Sequence, residues 1–179
     1  MMSRHSLLVR AAAVAALLVT GFPAAIAPRA QPAAEAPPPA VEQELSPLVV
    51  VARGAEHRFE VELVDTPETR SVGLMYRRSL APDRGMLFDM ERTGEASFWM
   101  KDTYVSLDII FIDIDGRVVR IAADTTPLSE RPIMSGAPVR FVLELVAGTA
   151  AAIGLQPGDV VRHDRIAEIS AAEGAETLQ

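Results

Sequence analysis

Leu107-Asp108-Ile109-Ile110-Phe111-Ile112-Asp113-Ile114-Asp115-Gly116-Arg117-Val118-Val119-Arg120-Ile121-Ala122 reads as two strands joined by a tight turn. Asp-Gly between β-branched runs is the strongest short hairpin signal, because a two-residue turn of this type needs positive φ at its centre. Such a turn sets Ile112 opposite Val119 and Ile110 opposite Ile121 on one face. Leu107, Ile109 and Phe111 then share the other face with Val118 and Ala122. Both faces are apolar, so the hairpin is expected to be central and covered on both sides. Ile110 and Phe111 become core residues on opposite faces.

The neighbouring segments extend this sheet. Upstream, Gly85–Phe88 and Ser97–Met100 flank Arg92-Thr93-Gly94-Glu95, which reads as a turn between two short strands. Further upstream, Leu48–Ala52 is a strand, and Phe59, Val61 and Leu63 alternate with Arg58, Glu60 and Glu62 in the period of a half-buried strand. Asp65 or Thr66 can cap a helix that has Pro67 in its first turn and runs to about Met75. Downstream, Val139, Phe141, Leu143 and Leu145 alternate along another strand. Ala147–Ile153 is a short helix stopped by Gly154, and Val160–Arg162 is a closing strand. Many short strands with two short helices predict an α+β, β-rich domain over 48–165, its mostly antiparallel sheet curled like a barrel.

The ends of the chain are different. Residues 1–27 carry Arg4, His5 and Arg10, then the apolar run Ala11–Val19, the breakers Gly21 and Pro23, and small residues at Ala24, Ala25 and Ala27. That order is a secretory signal peptide and predicts a periplasmic or extracellular protein. Pro28 follows the best cleavage match, Ala25-Ile26-Ala27, which leaves an uncleaved membrane tether as the alternative. Residues 28–47 are an Ala/Pro-rich spacer, and 166–179 read as an Ala/Glu-rich flexible tail. The net charge is −7; without the three arginines before Gln31, 14 bases face 24 acids. A balance of −10 argues against a nucleic-acid partner. With no cysteine, disulfides, thiolate metal sites and cysteine nucleophiles are excluded.

Gly73-Leu74-Met75, Gly85-Met86-Leu87-Phe88, Phe98-Trp99-Met100-Lys101, Thr103, Leu107-Asp108-Ile109-Ile110-Phe111, Asp115-Gly116, Val142-Leu143-Glu144-Leu145, Gly148 and Gly158-Asp159 follow one another in an order and spacing with a known counterpart. Over about 50–163 the chain resembles the uncharacterised family catalogued as domain of unknown function number one hundred and ninety-two. The resemblance implies a compact β-rich domain, often exported, with no assigned activity, and it supplies no catalytic residues. That family usually has Asn after the Lys of the Trp-Met-Lys segment; this chain has Asp102, which keeps tolerance of a left-handed turn and loses a donor.

Six residues are candidates for a site. Asp108 shares a face with Ile110 and Ile112, so its carboxylate must be paired; the loop Lys101–Val105 supplies the nearest donors in sequence. It is either a structural acceptor or a ligand-binding or acid/base group. Trp99, the only tryptophan, either packs on the hairpin or forms, with Lys101 and Thr103, the wall and polar handle of a small-molecule site. Arg70 can reach an anion or Asp108. Glu144 lies out of phase with Phe141, Leu143 and Leu145, so it need not be buried, and it can favour the following helix N-terminus. The methionines are not spaced as a Met-x-x-Met copper cluster, no zinc or calcium motif is complete, and no cofactor fingerprint occurs. The leading expectation is a non-enzymatic small-molecule-binding or accessory domain outside the cytoplasmic membrane. The alternatives are a hydrolase using Asp108 with Glu144 or Arg70, and a protein-interaction module. Two carboxylates roughly 5–10 Å apart would favour hydrolysis; a groove with an aromatic wall would favour binding; a flat apolar patch would favour a protein partner.

Overall fold

The structure, a computed structural model, describes residues 44–177. The export segment expected over 1–27 and most of the 28–47 spacer lie outside the described residues. Strands β1 (Leu45–Ala52) and β2 (Ala55–Val64) form a hairpin; helix α1 (Pro67–Val72) crosses from β2 to β3 (Arg84–Phe98). Then come β4 (Leu107–Ile112), β5 (Val118–Ala122), β6 (Ile133–Val146), α2 (Thr149–Ile153), β7 (Val160–Arg162) and α3 (Asp164–Thr177). Among the described residues the sheet has seven strands in the order β5-β4-β6-β3-β2-β1-β7. Only β2 and β3, joined through α1, pair in parallel.

The two ends of this order meet. Arg117 bridges to Val160, the Val118 amide donates to the Asp159 carbonyl at 2.8 Å, and the Val161 amide donates to the Gly116 carbonyl at 2.8 Å. The sheet is thereby nearly closed into a barrel. Gly116 is required twice over: its φ is +80°, and a Cβ there would stand 2.4 Å from the Val161 carbonyl oxygen.

Every residue of β4 is buried, and Ile110 does pair with Ile121. The turn, however, is wider than two residues. The Asp113 carboxylate accepts from the amides of Asp115 (2.9 Å) and Arg117 (2.8 Å), and the register shifts so that Ile112 meets Val118. Val118 therefore joins the face of Ile110 and Ile112, and Val119 the face of Ile109 and Phe111, the reverse of the expected placement. Cover on both sides holds for β4 but not for β5, where Val118 alone is buried.

The expected turn at Arg92–Glu95 is instead an irregularity inside one long strand. Both halves of β3 pair with β6, not with each other, and the register slips between Asp89 and Gly94. Glu91 takes φ 62°, and its amide donates to the Asp89 carboxylate at 2.8 Å, which holds the kink. α1 ends three residues short of the expected Met75, because Gly73 leaves helical geometry with φ +49°. β1 begins at Leu45, so the spacer ends before 47; Pro47 lies opposite Glu60, beyond the part of β1 that pairs with β7.

The expected tail beyond 165 is helix α3, a third helix rather than a frayed end. Ile166 is buried and Ile169 packs beside it on the core of Ile110, Phe141 and Leu143. Arg165 Nε donates to Asp89 Oδ2 at 2.9 Å, while Arg140 holds Asp89 Oδ1 at 2.8 Å. Burial works against the Asp89 charge, but the Glu91 amide and the two guanidinium groups outweigh it and hold the carboxyl below its usual range.

The sheet separates two apolar clusters. One contains Val50, Val61, Leu87, Ile110, Phe141 and Leu143 and is covered by α2 and α3. The other contains Met86, Phe88, Met100, Ile109, Phe111 and Val142 and is covered by Leu74 and the segment after α1.

Candidate functional site

α1 does not seal the second cluster. Between it and β3 lies a cleft of about 400 Å³ whose walls include Leu74, Phe88, Phe98 and Trp99. α1 is set there by its cap: Thr66 Oγ1 accepts from the Thr69 amide at 3.2 Å, and Pro67 opens the first turn. At Gly73 a Cβ would come within 3.1 Å of the Phe88 ring, so the glycine keeps this wall thin. Phe98 stands edge-on to Phe88 at 5.2 Å and to Phe111 at 6.1 Å, which fixes the aromatic wall from the core outward.

Four of the six candidate residues line this cleft: Arg70, Trp99, Thr103 and Glu144. Trp99 does not pack down on the hairpin; it stands 48% exposed at the rim. Lys101 is beside the cleft, its Nζ 5.3 Å from the centroid of the Trp99 ring. Thr103 is buried, with its hydroxyl donating to the Lys101 carbonyl at 3.0 Å. Arg70 is held by the carbonyls of Asp65 (2.7 Å) and Asp89 (2.9 Å) and by the Glu91 carboxylate (3.0 Å). Asp102 takes the left-handed conformation that Asp tolerates, with φ 53°.

Glu144 is the departure that matters most. It is 5% exposed, opposite Met86 on one side and Ile109 on the other. β6 is covered on both faces, so being out of phase with Phe141 and Leu143 places Glu144 in the second cluster and not in solvent. It makes no hydrogen bond or ion pair among the described residues, and burial alone pushes its carboxyl up to about 8. It is therefore largely neutral at pH 7.

Asp108 belongs elsewhere. It is fully buried, as expected, but its partners are not in the loop Lys101–Val105. Oδ1 accepts from the Asp124 amide at 3.0 Å and Oδ2 from the Ala150 amide at 2.8 Å, so Asp108, not Glu144, serves the start of α2. Asp108 lies opposite Leu145 and Ile109 opposite Glu144; the two carboxyls leave the sheet from opposite faces. The loop after Met100 closes on itself, with the Thr103 amide donating to the Met100 carbonyl at 3.1 Å.

Sequence reasoning missed Phe88, Phe98, Leu74 and Gly73 as site residues, although each falls in a quoted motif. The signal available was the phase of β3: Met86, Phe88 and Ala96 all join the Phe111 face. A second pairing also escaped notice. Ser46 Oγ and His163 Nε2 are 2.8 Å apart, while His163 Nδ1 accepts the Arg165 amide at 3.1 Å. Burial lowers the His163 pKa, and the neutral ring then carries its proton on Nε2. It donates to Ser46 and cannot take a proton from it.

A nearly closed mixed sheet with one aromatic cleft on a single face defines a class of small β-rich domain. Residues 49–163 match the DUF192 family, described as an uncharacterised ACR, and the chain belongs to that family. A protein of Sinorhizobium meliloti 1021, designated a candidate transcription regulator, is 43% identical, with 68% of this chain and 95% of that chain covered and a TM-score of 0.67. A protein of unknown function from Novosphingobium aromaticivorans DSM 12444 is 38% identical, with 74% of this chain and 94% of that chain covered and a TM-score of 0.67. No curated protein matches.

Proposed function

We propose that this protein is a small-molecule-binding domain that works outside the cytoplasmic membrane and receives its ligand in the cleft beside α1. Export is supported by the charge and apolar layout of residues 1–27. The observation that carries binding is Glu144: an acid only 5% exposed that lines an apolar aromatic cleft and has no partner among the described residues. A mostly apolar cleft with a few polar groups directed into it is the usual form of a ligand site. Hydrolysis by Asp108 with Glu144 has no support, because the sheet stands between them, and Arg70 is held far from Asp108 by its own three partners. The designation of the S. meliloti neighbour suggests nucleic acid, which a body charge of −10 opposes.

Trp99 is the only tryptophan, so intrinsic fluorescence reports directly on the cleft. Phenethylammonium, phenethyl alcohol and hydrocinnamate present one body with three charges. At least one is expected to give a saturable change that Val72→Phe, at the exposed mouth, removes. No saturable change with any of them would refute the reading.

A further inference from the structure

We infer that the ligand of this cleft is an organic cation, its ammonium group held by the Glu144 carboxylate and its apolar body laid against Phe98 and Trp99. This inference rests on the binding reading above and narrows it to a ligand class.

Three observations point to a cation. The first is the unpaired acid. An ammonium group brings three donors and a full charge to a carboxylate that now has neither, and charge-assisted bonds of this kind are the strong ones. The second is the wall. Aromatic faces attract cations, and in this fold the Lys101 ammonium already lies 5.3 Å from the centre of the Trp99 ring. The third is the state of the neighbouring positive charges. Arg70, from α1, is compensated by Glu91 at 3.0 Å and by two carbonyls, and Lys101, after β3, is turned onto the indole. No charged group from β3, β4, α1 or the loop after Met100 acts on Glu144; burial is the only influence on it. A ligand cation would therefore meet an acid that no neighbouring base compensates.

The volume of about 400 Å³ suits a compact ligand rather than a polymer. Binding at neutral pH includes a proton balance. Glu144 releases its proton to solvent as the ammonium arrives, and the ammonium keeps its own. Affinity must then rise with pH until Glu144 is ionised in the free protein.

The test uses the same three probes by Trp99 fluorescence. Phenethylammonium stays charged throughout, since alkylammonium groups titrate near 10. It is expected to bind at least tenfold more tightly than phenethyl alcohol or hydrocinnamate at pH 8. Its affinity should rise about fiftyfold from pH 6 to pH 8, following the fraction of Glu144 ionised. In Glu144→Gln it should fall at least tenfold at pH 8 and lose its pH dependence, which a purely structural role would not remove. If that variant does not fold, the wild-type pH series and the charge ranking decide. Tighter binding of the alcohol or of hydrocinnamate, still abolished by Val72→Phe, would overturn the cation while leaving the binding cleft standing. A flat pH series for phenethylammonium would overturn it as well. Failure of all three probes would overturn both readings.

Discussion

Replacing Glu144 with Gln removes a titration that the fold opposes. Burial pushes the carboxyl from its ordinary 4.5 up to about 8 in the folded chain. Between those values the unfolded chain releases a proton that the folded chain keeps. Wild-type stability therefore falls as pH rises through this window and levels off above about 8. Each pH unit inside the window costs about 1.4 kcal/mol, which accumulates to roughly 3 kcal/mol by pH 7. Gln keeps the shape and stays neutral at every pH. Its melting temperature should match wild type near pH 4.5 and exceed it by on the order of 10 °C at pH 8. Losses elsewhere in the molecule, such as acid weakening of the Asp89 network, affect both proteins alike and cancel in the difference. Paired thermal melts across this range make the measurement. A difference that stays constant from pH 4.5 to pH 8 would refute both the burial of a neutral acid and the linkage built on it.

Asp108→Asn should cost about 1–3 kcal/mol in urea unfolding, because one of its two amide donors is left facing an NH₂, and should leave probe binding on the opposite face unchanged. Ile110→Ala and Phe111→Ala should each cost about 2–5 kcal/mol, one in each cluster; a cost under about 1 kcal/mol for either would contradict full burial of β4. Asp89→Asn should cost about 3–5 kcal/mol near neutrality by leaving the buried Arg140 guanidinium without a carboxylate and Arg165 with Glu168 alone. The depressed Asp89 pKa makes that contribution present above the ordinary carboxyl range and lost as pH falls through the folded value, so the gap should close in acid melts. Mature protein recovered by fractionation should lie outside the cytoplasm and lack the residues before about 28–36; full-length protein soluble in the cytoplasm would contradict export.

The hairpin was legible because its apolar run has no polar face to bury wrongly and Asp115-Gly116 marks its turn. Its register was not, because the Asp113 carboxylate captures two amides and adds the bulge, a local competition that counting residues across a turn does not see. Arg92–Glu95 has the composition of a turn, and only the long partner strand β6 keeps the chain straight enough to resume pairing. α3 has two apolar anchors, Ile166 and Ile169, too few to announce a helix; a tertiary ion pair from Arg165 to Asp89, 76 residues away, completes it. Burial of Asp108 followed from phase alone, but its partners come from α2 and from the segment after β5, whose nearness is a product of the fold. Glu144 was misplaced for one reason. A strand covered on both faces hides its second face from any argument based on alternation, and that second face forms the cleft.

The seam between β5 and β7 has a consequence for assembly. An open sheet of seven strands ends in two rows of unpaired backbone donors and acceptors, a template on which a second chain can add a strand. Here the two edges meet at one end, through a short stretch in which Arg117 bridges Val160 and Gly116 touches the backbone at Val161. A side chain at that position would force the Val161 carbonyl away and open the seam. The junction that turns this sheet toward a ring thus hangs on one residue that has no side chain, more than forty residues in sequence from the strand it meets.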